Sequence, residues 1–431
     1  MGIKESAKGV AVTLRLDSHH AIERFGIFFG VVVVTFGLVF SSAAVSAVSN
    51  QAAKMDSTTL YTPSFSTSKT QVSGEVDGVY VNSDRNRAMV LMKFDDPRSV
   101  SANAEKYQAF LTGSTSELAE QALKSNVTGE IVVFGSTGYM AMVLDSDTAF
   151  QQQILNLTLR ANSELVYTPS ESRELREDLE GQTTFAEFDQ WRLYFNPGAS
   201  GAVETAALDT PAFDAGAVYA ELVVKPEEDK IRATMDEQLG EMRADRTRID
   251  EYESEIARVN VDSVFITAPA VPVQIAGDVI AGEPAIGEGE SSLKLDAEWV
   301  SPSGYDFDWR AGSVAEGYLD DIVPEDESYV TFLADKAAQA KDGEEGALQP
   351  NDIQWNLSNG RLLTDYGTSD KAMKPLMDLR NDLSQSYQDY YAHKVDYQVA
   401  SYASLIDLEV DLRNVRSGAS TNSDEKALFT Y

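Results

Sequence analysis

The strongest feature of the hydrophobic pattern is an apolar run near the start of the chain. No charged residue occurs between Phe25 and Ala53, and the stretch Phe25–Phe40 is almost wholly apolar. A helix over Phe25–Val48 would be roughly 36 Å long at about 1.5 Å per residue, which is enough to cross a bilayer. The pattern therefore predicts a transmembrane anchor at Phe25–Val48, preceded by a tail formed by residues 1–24.

Two interpretations of this segment compete, an uncleaved signal anchor and a cleaved signal peptide. The small residues of 41–49 suit cleavage, because Val45 and Ala47 would occupy the positions that a signal peptidase reads. The 24 residues before the apolar run are long for the first region of a signal peptide, which favours the anchor. Basic residues are more frequent before the segment than after it, so residues 1–24 are expected in the cytoplasm and the remainder outside.

After the anchor, residues 49–70 are rich in serine and threonine and lack periodicity, which predicts a flexible stalk. Residues 71–168 are expected to form a β-sandwich-like domain, because short runs of strand-forming residues alternate with turn residues. Apolar and polar positions alternate over 154–160, as in a half-buried strand, and the glycine-bounded stretch 135–138 predicts a hairpin loop. A capping-box pattern predicts a short inserted helix over 114–124.

The next part of the chain is less regular. Residues 169–225 predict a mixed β connection, with a short helix at 170–179 and strands at 191–195 and 218–224. An Asn-Pro-Gly break at 196–198 separates the two strands.

Residues 226–260 carry the clearest helical pattern, and Pro226 suits its first turn. Four apolar residues recur at seven-residue spacing: Met235, Met242, Ile249 and Ile256. The other seam is interrupted by charged residues: Arg232, Arg246 and Glu253. Because a two-stranded coiled coil needs both seams apolar, this helix should not dimerise by itself. Its stripe is expected to dock on a second long helix predicted at 370–415, or to lie on a neighbouring β domain.

Residues 261–327 return to β character, with strands expected at 261–267 and 293–300. A helical region follows at 328–416, and residues 417–431 are expected to be a flexible tail. The predicted fold class is therefore α+β. It consists of the N-terminal transmembrane helix, a membrane-proximal β-sandwich-like domain and a β/helical region with two long helices.

The composition excludes several functions. The 431 residues include 35 Lys plus Arg and 69 Asp plus Glu, which gives a net charge of −34. Without a basic surplus the chain is not expected to bind nucleic acid or to lie on anionic lipid. The absence of cysteine removes thiolate nucleophiles, iron–sulfur clusters and cysteine zinc sites. An acidic, cysteine-free part outside the membrane is typical of a prokaryotic surface.

Candidate chemistry is sparse. His19 and His20 precede the anchor, so His393 is the only histidine beyond it and is expected to be an ordinary helix residue. Aspartate pairs such as Asp306 and Asp308 could supply oxygens to Ca²⁺, but acidic residues are frequent enough for such pairs to occur by chance. The sequence therefore assigns no catalytic, cofactor-binding or metal-binding residue.

These observations favour a membrane-anchored, non-enzymatic interaction or scaffold protein outside a prokaryotic cell. Its expected partners are the membrane, through Phe25–Val48, and other envelope or surface proteins. One alternative is an accessory subunit of a secretion or conjugation machine, since such subunits share this topology. Another is an extracellular hydrolase, since the many acidic residues could form the carboxylate pair of a glycosidase.

Overall fold

The fold is mixed α+β, as predicted. The predicted anchor Phe25–Val48 and the helix expected at 170–179 lie outside the part of the chain that is described. Within the described part, no helix combines the length and the apolar character needed to cross a bilayer. The computed structural model describes residues 57–115, 118–162, 188–267, 271–285, 291–301, 304–342, 353–367, 371–424 and 426–431.

The described strands form two large sheets and one small one. In chain order the strands are β1 (Ser64–Ser66), β2 (Ser73–Val81), β3 (Arg87–Phe94), β4 (Tyr107–Ser114), β5 (Glu120–Gln121), β6 (Val127–Val133), β7 (Tyr139–Ser146), β8 (Ile154–Ala161), β9 (Gln190–Phe195), β10 (Val203–Glu204), β11 (Val279–Ala281), β12 (Lys294–Asp296), β13 (Ser420–Asn422) and β14 (Leu428–Thr430). The first sheet has the order β1-β2-β3-β7-β6-β13, with β10 beside β2. The second has the order β14-β4-β8-β9, with β5 beside β4, and β11 pairs with β12.

The two large sheets share one hydrophobic core. Val90 and Met142 of the first sheet and Leu157 of the second are fully buried in it. Their strand neighbours Met89 and Val143 belong to a second core, between the first sheet and the helices. Strands β3 and β7 are therefore buried on both faces, which explains why they are continuously hydrophobic instead of alternating.

Two long interrupted helices dominate the rest of the molecule. The α-helices of the described residues are α1 (Ala215–Tyr219), α2 (Lys225–Ile256), α3 (Leu319–Ile322), α4 (Tyr329–Asp342), α5 (Lys374–Val395) and α6 (Tyr402–Gly418). A π-helical segment at Ala220–Val224 joins α1 to α2, and another at Asp396–Ser401 joins α5 to α6. The two composite helices, residues 215–256 and 374–418, are called the helix pair below.

The helix pair is antiparallel, and it confirms the predicted docking. The hydroxyl of Ser401 donates to Gln238 Oε1 at 2.9 Å, and the hydroxyl of Tyr387 donates to Glu253 Oε1 at 2.9 Å. Residue numbers therefore rise along one helix in the direction in which they fall along the other. Ile249 is fully buried in the core of the pair. The other end of the pair lies on the first sheet, where the Tyr219 ring is 5.8 Å from that of Phe134. The partner of the helix at 226–260 is thus the second long helix, and the contact with the first sheet is made by the preceding residues of the composite helix.

The expected stalk and tail are wrong where they are described. From residue 57 onward the chain lies on the sheets: β1 pairs with β2, and the Phe65 ring stacks 6.0 Å from that of Trp191. The tail residues 417–431 also pair, because β13 joins β6 and β14 joins β4. The polar composition of these segments wrongly predicted flexibility. A strand of three residues is stabilised by the neighbouring strand and is too short to show a hydrophobic periodicity.

Two local predictions also fail. The helix expected at 114–124 is absent from the described residues: β4 ends at Ser114, the N–H of Leu118 donates to Thr115 O at 3.0 Å, and β5 follows at Glu120–Gln121. The strand expected at 218–224 is helical, because Asp214 caps α1 by accepting from Ala217 N at 3.0 Å. Its β-branched residues pack into the helix–sheet core instead of a ladder, so tertiary burial overrides their strand propensity.

The β-rich segment expected at 261–327 is mostly irregular. Within its described residues only β11 and β12 are strands, each of three residues, and isolated bridges replace the strand predicted at 261–267. Of the strand predicted at 293–300, only β12 forms. Side chains of the helix pair hold this irregular backbone in place.

Candidate functional site: an aromatic pocket beside the helix pair

A pocket of about 520 Å³ lies between the irregular segment 291–310 and the second π-helical segment. Its walls include five aromatic side chains: Trp299, Phe307, Trp309, Tyr397 and Tyr402. Its volume falls within the range of about 300–1,000 Å³ that is typical of ligand sites.

The π-helical segment turns the tyrosines of the second long helix towards this pocket. Within this wider turn Tyr397 and Gln398 are buried, whereas Val399 is only partly buried. Such π-helical turns inside α-helices occur frequently at functional sites. The helical periodicity of the sequence places Tyr402 among the apolar positions of this helix but does not include Tyr397.

Three aromatic residues of the pocket wall contact one another. The indole Nε1–H of Trp309 donates to the hydroxyl of Tyr397 at 3.0 Å, and the Tyr402 ring meets that of Tyr397 edge to face with centroids 5.6 Å apart. All three are at least nine-tenths buried. Burial, the neighbouring Tyr397 and the carboxylates Asp308 and Asp306 together raise the pKa of Tyr402, so its hydroxyl stays protonated at neutral pH.

A single buried amide positions the outer wall. Gln398 accepts from the N–H of Val300 at 3.0 Å and donates to the carbonyl of Glu298 at 3.3 Å. Between these two residues, Trp299 meets Tyr402 edge to face with ring centroids 5.3 Å apart. The helix thus fixes the position of the partly exposed tryptophan through backbone hydrogen bonds of its neighbours.

Two buried carboxylates hold the adjoining segment 312–319 against both long helices. Glu228 of α2 accepts from the N–H of Val314 at 3.1 Å. Glu409 of α6 accepts from the N–H groups of Tyr318 and Leu319 at 2.7 and 2.9 Å. The Tyr318 ring in turn stacks on Phe307 with centroids 4.3 Å apart, so this support reaches the pocket wall.

The mouth of the pocket is predominantly acidic: Asp296, Asp306 and Asp308 line it together with Lys294 and Arg310. The Lys294 ammonium is 3.8 Å from a carboxylate oxygen of Asp308. The Arg310 guanidinium lies 4.1 Å from the centroid of the Trp309 ring and is paired with Asp236 of α2. A ligand that enters the pocket would therefore meet both aromatic rings and carboxylates.

His393 is not among the residues that line this pocket. Its Nδ1 donates to Asp245 at 2.8 Å and its Nε2 lies 3.1 Å from Glu241, both on the facing helix α2. Asp245 is fully buried and is also paired with Arg248 at 2.6 Å. His393 therefore helps to join the two helices, which agrees with its interpretation as an ordinary helix residue.

Of the aspartate pairs noted in the sequence, the structure brings Asp306 and Asp308 to the pocket mouth. Others are used in ion pairs, such as Asp145 with Arg87 at 2.6 Å. Across the described residues, no group of three or more histidine or acidic side chains is placed to hold a metal ion.

Sequence reasoning missed the pocket, although one local signal exists. Residues 305–309 read Tyr-Asp-Phe-Asp-Trp, in which aromatic and acidic residues alternate. The acidic pair alone does not indicate a pocket, because the partners Tyr397 and Tyr402 lie far along the chain and meet this segment only in the folded molecule. A comparison of the chain with family models, with curated proteins and with solved structures gives no match.

Proposed function

We propose that this chain is a non-enzymatic binding protein, anchored in a prokaryotic membrane by Phe25–Val48 and facing outwards, which recognises its ligand through the aromatic pocket. The pocket is the observation that carries this proposal. Trp309 is hydrogen-bonded to Tyr397, Tyr397 packs edge to face on Tyr402, and all three are buried in the absence of a ligand. A preformed wall loses little conformational entropy on binding, which is what a recognition site requires.

The order of the layers supports an outward-facing pocket. The chain enters the described structure at the second sheet, where Asn196 N donates to Thr59 O at 2.7 Å. The helix pair packs on the opposite face of the first sheet, and the pocket lies along that pair. An anchor that precedes residue 57 would therefore hold the second sheet towards the membrane and the pocket away from it.

A ligand screen on the purified full chain tests the proposal. We expect at least one class among amines, sugars and short peptides to raise the melting temperature of the wild type. The Trp299→Ala variant should lose that shift, because it removes the outer aromatic wall. Phe265→Ala is the matched control, since Phe265 is similarly exposed (44% against 36% for Trp299) and lies outside the pocket.

The control variant should keep the full ligand-induced shift. If no class raises the melting temperature, or if both variants lose the shift equally, the pocket is not a recognition site and the proposal fails.

A further inference from the structure

The charges around the aromatic pocket indicate the chemical class of its ligand. Three aspartates and two basic residues line it, and both basic residues are already used: Lys294 lies beside Asp308 and Arg310 is paired with Asp236. Among the described residues, no hydrogen-bond or ion-pair partner lies within reach of the side-chain carboxylates of Asp296 and Asp306, which line the pocket. The local surplus is therefore negative and is directed at the pocket mouth.

The aromatic faces favour the same sign of charge. A cation is attracted to the negative face of an aromatic ring within about 6 Å of its centroid. The pocket already contains one such contact, because the Arg310 guanidinium lies 4.1 Å from the centroid of Trp309. The remaining accessible aromatic surface is chiefly that of Trp299, which is 36% exposed next to Tyr402.

The pocket offers carboxylate acceptors to a saccharide, but its buried aromatic donors are not free. A sugar needs directed donors as well as acceptors, whereas the indole N–H of Trp309 already donates to the hydroxyl of Tyr397, and Tyr402 is buried against the same tyrosine. The side-chain amide of Gln398 is also engaged, because its oxygen accepts from the N–H of Val300 and its nitrogen donates to the carbonyl of Glu298. Aromatic faces and carboxylates are what remain.

We propose that the pocket binds an organic cation of the alkylammonium class, with the cationic group against Trp299 and Tyr402 and near Asp306. This inference rests on the proposed function, since it names the ligand of the same pocket. The volume of about 520 Å³ accommodates an ammonium group together with an alkyl body.

Titration calorimetry of the purified full chain with choline tests this inference. The comparison ligand is 3,3-dimethylbutan-1-ol, which has the shape of choline without its charge. Choline should bind about tenfold more tightly than this neutral analogue, a ratio that corresponds to about 1.4 kcal/mol. Added salt should weaken choline binding, because the carboxylates at the pocket mouth are solvent-exposed and screened.

Variants separate the aromatic from the electrostatic contribution. Trp299→Ala should weaken choline binding about tenfold, and Asp306→Asn about threefold, with a smaller salt dependence in the latter. Asp326→Asn, an exposed aspartate outside the pocket, is the matched control and should bind like the wild type. Unchanged melting temperatures would show that the variants remain folded.

Each result has a definite meaning. Equal binding of choline and the neutral analogue, or no choline binding, overturns the cation inference. If a disaccharide binds instead and Trp299→Ala abolishes its binding, the pocket remains a recognition site and only the ligand class is wrong. If no ligand of any class binds, both this inference and the proposed function fail.

Discussion

At the scale of single residues, buried polar groups decide how the helix pair holds together. Asp245 is fully buried between Arg248 of its own helix and His393 of the facing one. His393→Ala should lower the free energy of unfolding by about 1–2 kcal/mol, because a buried carboxylate loses one of its donors. Urea denaturation measures this loss.

His393→Asn is the matched control for that change, since its amide N–H can replace the donor near Nδ1. It should recover much of the lost stability. If both variants are as stable as the wild type, the bond between the two helices contributes nothing, as expected for a solvated histidine.

A second residue, Asp411 of α6, makes stability depend on pH. Burial raises the pKa of Asp411, Asp407 raises it further, and Lys93 partly offsets this. The folded state therefore binds a proton more tightly than the unfolded state, whose aspartates titrate near about 3.9. The ionised carboxylate is destabilising at pH 7, and this penalty disappears as the pH falls below the unfolded value.

Asp411→Asn should accordingly be more stable than the wild type at pH 7, with a difference that shrinks towards zero near pH 4. Urea denaturation at several pH values measures this difference. Asp326→Asn, at an exposed position, serves as control and should show no such trend. A stability difference for Asp411→Asn that stays constant from pH 7 to pH 4 would contradict the assignment.

At the scale of elements, the helix pair depends on its heptad stripe. Ile249 is fully buried in the core that the pair forms. Ile249→Ala should cost about 2–4 kcal/mol, as for a large-to-small change in a packed interior. Urea denaturation gives this value, and Glu251→Ala, on the exposed side of the same helix, should change stability by less than about 0.5 kcal/mol. A loss below about 1 kcal/mol at Ile249 would mean that the pair tolerates a gap there.

At the scale of the whole molecule, the proposed attachment to the membrane depends on the segment Phe25–Val48. We expect it to remain attached, because the apolar run is long enough to span a bilayer. The full chain should then sediment with membranes, and protease added to intact cells should release fragments from residues 57–431. N-terminal sequencing of the protein checks the same point.

Soluble protein in the medium that begins near Val48 would show that the segment is a cleaved signal peptide. Resistance of intact cells to the protease, with digestion only after lysis, would contradict the outward orientation. The second outcome would also remove the topological part of the proposed function.

Much of the fold follows from local periodicity. The helix at 226–260 and its buried face are predictable from the seven-residue stripe, from Pro226 in the first turn and from the charges that interrupt the second seam. The hairpin loop at 135–138 is predictable for a similar reason, since Gly135 and Gly138 adopt φ values of +59° and +83° that glycine tolerates best. In each case the determining information lies within a few residues along the chain.

Other features were decided only by the tertiary structure. Strands β1, β13 and β14 have three residues each and form because an existing sheet offers them hydrogen-bonding partners. The π-helical segments shift the register of the tyrosines, and the pocket joins residues 299–309 to residues 397–402. Hydrophobic periodicity reports which face of an element is buried, but not which distant segment covers it, because that choice depends on the packing of the whole chain.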